Sequence, residues 1–120
     1  MRFTLTFALL SLLFLGCSRR DAKLSEQITG TWTLNDKFET KLSADGSFVS
    51  HWALSNKSLT YQGTWKIQDG GMVSTLTNCI ADGTTNFERV GSVDHFAIIR
   101  ADSTGLVFSN NNQMISLTRK

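Results

Sequence analysis

The chain has 120 residues, 41% of them hydrophobic and 18% charged, a balance that fits one globular domain and excludes a disordered chain. Its formal charge of +2 is unevenly spread. Arg2, Arg19, Arg20 and Lys23 lie near the N-terminus, and from Leu24 onward eight Lys and Arg stand against nine Asp and Glu. A domain so close to neutral lacks the basic surface that nucleic acids require, which excludes that class of partner.

Residues 1–16 read as a targeting segment rather than structure. Met1-Arg2 is a short positive start, and 3–15 is an apolar run softened by Thr4, Thr6 and Ser11. The run is too short to span a bilayer comfortably and fits the core of a signal peptide. It ends in Phe14-Leu15-Gly16-Cys17, which resembles the lipobox of bacterial lipoproteins. That resemblance implies that Cys17 is acylated, with palmitate among its chains, and becomes the first residue after cleavage. Each buried methylene contributes ~0.8 kcal/mol, so two or three acyl chains anchor a protein without a transmembrane helix. The same resemblance implies the bacterial cell envelope. Ser18, where an inner-membrane retention signal would be Asp, favours the outer membrane over the inner.

Residues 17–27 are the expected lipidated cysteine, tether and short helix, with Arg19, Arg20 and Lys23 near anionic headgroups. Good helix formers occupy 21–27, and Leu24 and Ile28, four apart, would pack on the domain at 28–120.

That domain is built on a phrase that occurs twice, Gly30-Thr31-Trp32 and Gly63-Thr64-Trp65. In both copies apolar residues alternate with Thr, Gln or Lys, so Gly and Trp point inward and Thr points to water. The first strand is expected over 28–34, with Asn35-Asp36 as a turn. The second covers 37–43, with Phe38, Thr40 and Leu42 inward and Glu39 and Lys41 outward. Ala44-Asp45-Gly46 leads to a third strand over 47–54, with Phe48, Ser50 and Trp52 inward. A polar loop at 55–58 precedes a fourth strand at 59–68, and Asp69-Gly70-Gly71 turns it into a fifth over 72–79.

Residues 81–86 are rich in turn formers, and 87–93 read as a short strand broken by Gly91. A strand at 95–101, a turn at 102–105, a strand at 106–109, Asn110-Asn111-Asn112 and a last strand at 113–118 complete the chain. Eight or nine short strands with closely spaced turn signals predict a single up-and-down antiparallel β-barrel, with a β-sandwich as the alternative. Trp32, Phe38, Leu42, Phe48, Trp52, Tyr61, Trp65, Met72, Leu76, Phe96, Ile98, Phe108 and Met114 are its expected inward residues. Gly30-Thr31-Trp32, the hairpin Leu42-Ser43-Ala44-Asp45-Gly46-Ser47-Phe48 and Gly63-Thr64-Trp65-Lys66-Ile67 resemble the small bacterial lipocalin-like domains. The likeness spans about 28–77 and carries a fold but no particular ligand.

No catalytic pattern stands out. Asp36, Asp45, Asp69, Asp82 and Asp102 all fall in expected turns, where the side chain bonds nearby backbone N–H groups. His51, His95 and Cys79 are not spaced as metal ligands, and Cys79 reads as a buried apolar residue. Neither an enzyme nor a cofactor or metal site is expected. The leading expectation is a lipid-anchored envelope protein binding a small apolar molecule at the barrel mouth, lined by Phe38, Phe48, Trp52, Tyr61, Phe96 and Phe108. Ser50, Asn78 and Arg100 are the expected polar groups there, while Gly30, Trp32, Gly63 and Trp65 plug the opposite end. The alternative is a solid-core module that binds another envelope protein through loops 55–58, 82–86 and 110–112.

Overall fold

The computed structural model describes residues 19–85 and 89–120. The expected targeting segment 1–16, Cys17 with Ser18, and residues 86–88, where a short broken strand is expected to begin, lie outside the described residues.

A helix, α1, covers 19–28. Among the described residues nine strands follow: β1 (Gly30–Leu34), β2 (Phe38–Leu42), β3 (Ser47–Leu54), β4 (Lys57–Gln68), β5 (Gly71–Ala81), β6 (Thr84–Thr85), β7 (Val93–Ala101), β8 (Gly105–Asn110) and β9 (Gln113–Arg119). All pairings are antiparallel. The sheet runs β1 through β5, passes to β7, β8 and β9, and closes where Trp32 faces Arg119 and Thr33 faces Thr118. The two-residue β6 only extends the far end of β5. Of the short strand expected over 87–93, residues 89–92 instead form a turn, in which Gly91 takes a φ of 91° and Ser92 N–H donates to the Arg89 carbonyl, and Val93 opens β7. The result is a closed eight-stranded barrel, and closure rules out the sandwich alternative.

Short turns make this meander possible. Asn35, Asp69, Asp82 and Asn111 take φ values of 55°, 54°, 50° and 50°. Asn and Asp tolerate that left-handed region because the side chain bonds locally. Asp102 holds the β7–β8 turn by accepting from the N–H groups of Thr104 and Gly105 at 2.9 and 2.8 Å. Those donors, together with Arg100, hold its carboxyl well below the usual carboxylate range. The expected loop at 55–58 contracts to a turn at 55–56, because Ser58 pairs with Ala53 and Lys57 with Leu54.

Two register shifts, between Gln62 and Gly63 against β5 and between Ile98 and Arg100 against β8, reset which side chains face inward. Gln62 faces Asn78 but Gly63 faces Leu76, leaving Thr77 as an extra residue. Met72, Leu76 and Cys79 are therefore all buried despite their mixed parity. Asn78 is correspondingly turned outward, where its amide donates to Gln62 Oε1 at 3.1 Å, so it is not the mouth residue expected. In β9 the pairing of Asn110 with Gln113 turns Ile115 and Leu117 inward. Met114, expected inside, is 67% exposed.

The core comprises Ile28, Trp32, Leu42, Trp65, Met72, Leu106, Phe108 and Leu117. It gathers at one end, beneath α1 and the β2–β3, β4–β5 and β7–β8 turns. The β1–β2, β3–β4, β5–β6 and β8–β9 connections rim the other end.

Candidate functional site

The closed end is built from the repeated phrase and one residue that sequence reasoning missed. Trp32 is fully buried, and its indole N–H donates to the Ile28 carbonyl at 2.8 Å. The Arg119 guanidinium lies 4.3 Å from the centre of the Trp32 ring. It also donates to the carbonyls of Gln27 at 2.7 Å, Thr29 at 3.1 Å and Ser103 at 2.9 Å. Gly30 leaves room for this group, since a Cβ there would stand 2.5 Å from an Arg119 nitrogen. The second copy uses the same chemistry. Trp65 donates to the carbonyls of Ser43 and Ser47 at 3.1 and 3.0 Å, and Gly63 lets the Thr75 carbonyl and the Phe48 ring come close. Arg119 continues the inward parity of Ile115 and Leu117, a signal hidden by ending the last strand at residue 118.

The open end carries aromatic side chains from β2, β3 and β4. Phe38 and Trp52 face each other across β2 and β3, with ring centres 4.5 Å apart and a 41° tilt. Tyr61 stands between Ser50 and Cys79 in the register. Phe38, Trp52 and Tyr61 are all half-buried. Below them Thr40 and Ser50, each 7% exposed, share a hydroxyl–hydroxyl bond of 2.7 Å. Arg89 reaches in from the segment before β7, donating to the Tyr61 hydroxyl at 3.1 Å with its charge 5.6 Å from the ring centre.

Because each hydroxyl of the Thr40–Ser50 pair satisfies the other, removing one is worse than removing both. Ser50→Ala should lower stability by ~1–3 kcal/mol by orphaning the Thr40 hydroxyl. Adding Thr40→Val should restore most of the loss, a non-additivity that urea unfolding of the single and double variants measures.

The six aromatics expected to line one pocket divide into two sets. Phe108 belongs to the core, Phe96 packs edge-on against it with ring centres 5.0 Å apart, and Phe48 lies against Gly63. Phe38 touches the same core but stands with Trp52 and Tyr61 at the rim end of β2, β3 and β4. Ser50 lies inside as expected, but Arg100 does not join it. Arg100 is exposed beside the β7–β8 turn and paired with Asp102 at 2.6 Å.

His51, His95 and Cys79 are not brought together. His51 bonds Thr60 on the outside of the sheet, His95 is exposed opposite Val73, and Cys79 is 1% exposed in the interior. A crevice of about 500 Å³ on the outer face of β1, β2 and β3 is lined by Thr31, Glu39, Lys41, Val49, His51 and Lys120. There the hydrogen bond from Lys120 holds the Glu39 carboxyl below its usual range.

No protein-family model matches the chain, and no curated protein does. Among solved structures, a lipocalin-like protein from Bacteroides thetaiotaomicron superposes with a TM-score of 0.56 at 23% identity. The match covers 78% of this chain and 96% of that one. At that identity the likeness speaks to architecture, and it agrees with a closed antiparallel barrel. The chain has the lipocalin-like fold.

Proposed function

We propose that the protein is a non-catalytic, lipid-anchored protein of the bacterial envelope that holds a small apolar molecule in the open end of its barrel. The observation that carries this reading is the half-buried group of Phe38, Trp52 and Tyr61. A folded core would bury three large aromatics, yet these are left partly open above a satisfied polar floor. At the closed end Trp32, Arg119 and α1 occupy the barrel interior. Aromatic walls suit an apolar ligand, and the Thr40–Ser50 pair together with Arg89 and Tyr61 supplies the few polar groups that would orient one. Anchoring rests on the Phe14-Leu15-Gly16-Cys17 sequence, and placement in the outer membrane rests on Ser18.

Titration with an apolar fluorescent probe tests binding. Trp52→Ala should weaken the probe at least tenfold, equivalent to about 1.4 kcal/mol. The variant's far-ultraviolet circular dichroism should stay unchanged. A wild-type protein that takes up no probe and carries no adduct in native mass spectrometry would count decisively against the reading. The anchor is tested separately by labelled-palmitate incorporation, which Cys17→Ser should abolish, and by fractionation of the two membranes.

A further inference from the structure

We propose that the closed end of the barrel rests on an anionic bilayer surface, so that the mouth faces away from the membrane that holds the protein. This inference rests on the reading of Cys17 as the acylated residue. It concerns orientation, which that reading leaves open.

The first observation is the length of the link. Arg19, two residues after Cys17, is already helical. Two residues reach at most ~7 Å when fully extended, so the acyl chains would enter the bilayer almost directly beneath α1.

The second is that α1 is fixed to the barrel toward both of its ends. The Asp21 carboxylate accepts from the N–H groups of Asp69 and Gly70, at 3.3 and 3.2 Å, in the β4–β5 turn. At the other end Ile28 is fully buried, its carbonyl accepts from Trp32, and the Gln27 carbonyl accepts from Arg119. A helix held in this way transmits the position of the anchor to the whole barrel instead of serving as a leash.

The third is the charge exposed on α1, where Arg20 lies over Gly70 of the β4–β5 turn. Arg19, Arg20, Ala22, Lys23 and Glu26 are all exposed, three cations against one carboxylate. Asp45, Asp69 and Asp102 also lie in turns at this end, and Asp102 is paired with Arg100. Arg19, Arg20 and Lys23 stand closest to the anchor along the chain, which places them to meet the surface first. Anionic headgroups complement them within the reach of the link. With its closed end down, the barrel exchanges ligand with the aqueous side and not with its own bilayer.

The test uses the full-length acylated protein in phosphatidylethanolamine–phosphatidylglycerol vesicles that carry a headgroup-level quencher. A fluorophore is placed at Ala44→Cys, in the β2–β3 turn, or at Asn56→Cys, in the β3–β4 turn. Both positions are exposed, while Cys79 is buried and escapes labelling. The eight residues of β3 separate the two turns. Tilted as barrel strands are, they span roughly 20 Å along the axis. Quenching should be several-fold stronger at position 44 than at 56. A flexible insert of about ten Gly and Ser residues between Ser18 and Arg19 should bring the two close to equality while the protein stays bound. Replacing phosphatidylglycerol with phosphatidylcholine should narrow the difference, and an unchanged ratio would remove the cations from the contact. Equal quenching without the insert, or stronger quenching at 56, in protein that remains bound overturns the orientation alone. Protein that is not acylated and does not float with the vesicles overturns the reading of Cys17, and the orientation with it.

Discussion

Trp32→Ala should yield a chain that does not hold its fold at growth temperature. Truncating a buried Trp costs ~3–5 kcal/mol, close to the whole stability of a small domain. Here the loss reaches beyond the cavity. The Ile28 carbonyl, buried with its residue, gives up the donor that satisfies it, and Arg119 gives up the ring face beneath its charge. The three carbonyls that Arg119 also binds would then be held by a guanidinium with nothing to pack on. Trp32→Phe separates these effects, since it keeps most of the apolar area but removes the N–H. It should fold with a lowered midpoint, at a cost of ~1–3 kcal/mol. Thermal unfolding followed by circular dichroism distinguishes the three proteins. A Trp32→Ala protein with the wild-type midpoint that no longer binds probe would mean that the binding site lies at the end assigned here to structure.

Gly63→Ala should be almost as damaging, although it adds a single methyl group. A Cβ at this position would run into the carbonyl oxygen of Thr75, and the Phe48 ring edge would lie 2.7 Å away. A ring can turn, but the carbonyl belongs to the backbone of β5. Thr75 is paired with Thr64 on one side and Val93 on the other, so it has no direction in which to retreat. Relief would require opening the ladder at the register shift beside Gly63. Overpacking of this kind costs ~1–3 kcal/mol, and the rigid partner places this site at the upper end of that range. Gly83→Ala is the control. A Cβ there meets nothing within 4 Å, and only its φ of 81° opposes a side chain, so the loss should stay near ~1 kcal/mol. Urea unfolding of the pair compares steric conflict with backbone strain. Equal losses would show that β5 yields more easily than its pairing implies.

Particular residues show how much could be read in advance. Alternation in Phe38-Glu39-Thr40-Lys41-Leu42, and in β4 from Tyr61 to Ile67, marks inside and outside because a strand repeats every two residues. Asn35, Asp69 and Asp82 mark turns because their side chains stabilise a left-handed backbone. Parity fails at Thr77, and again at Ile99, where Ile98 faces Phe108 but Arg100 faces Val107. A bulge belongs to the register of two strands and leaves no mark in either one. Met114 was misplaced for a related reason, since the hairpin pairing of Asn110 with Gln113 sets the phase of β9.

The sequence by itself determined most of the strands, the short turns, the meander and the inward position of Gly30, Trp32, Gly63 and Trp65. These follow from local periodicity and backbone preference, which neighbouring residues alone impose. Only the tertiary structure decided that Arg119 lies over Trp32, that Thr40 and Ser50 satisfy each other, and that Phe38, which also touches the core, stands with Trp52 and Tyr61 toward the rim. Each of these depends on how far the strands slide past one another when the barrel closes. That offset is set by the whole ring of pairings, so no single stretch of chain carries it.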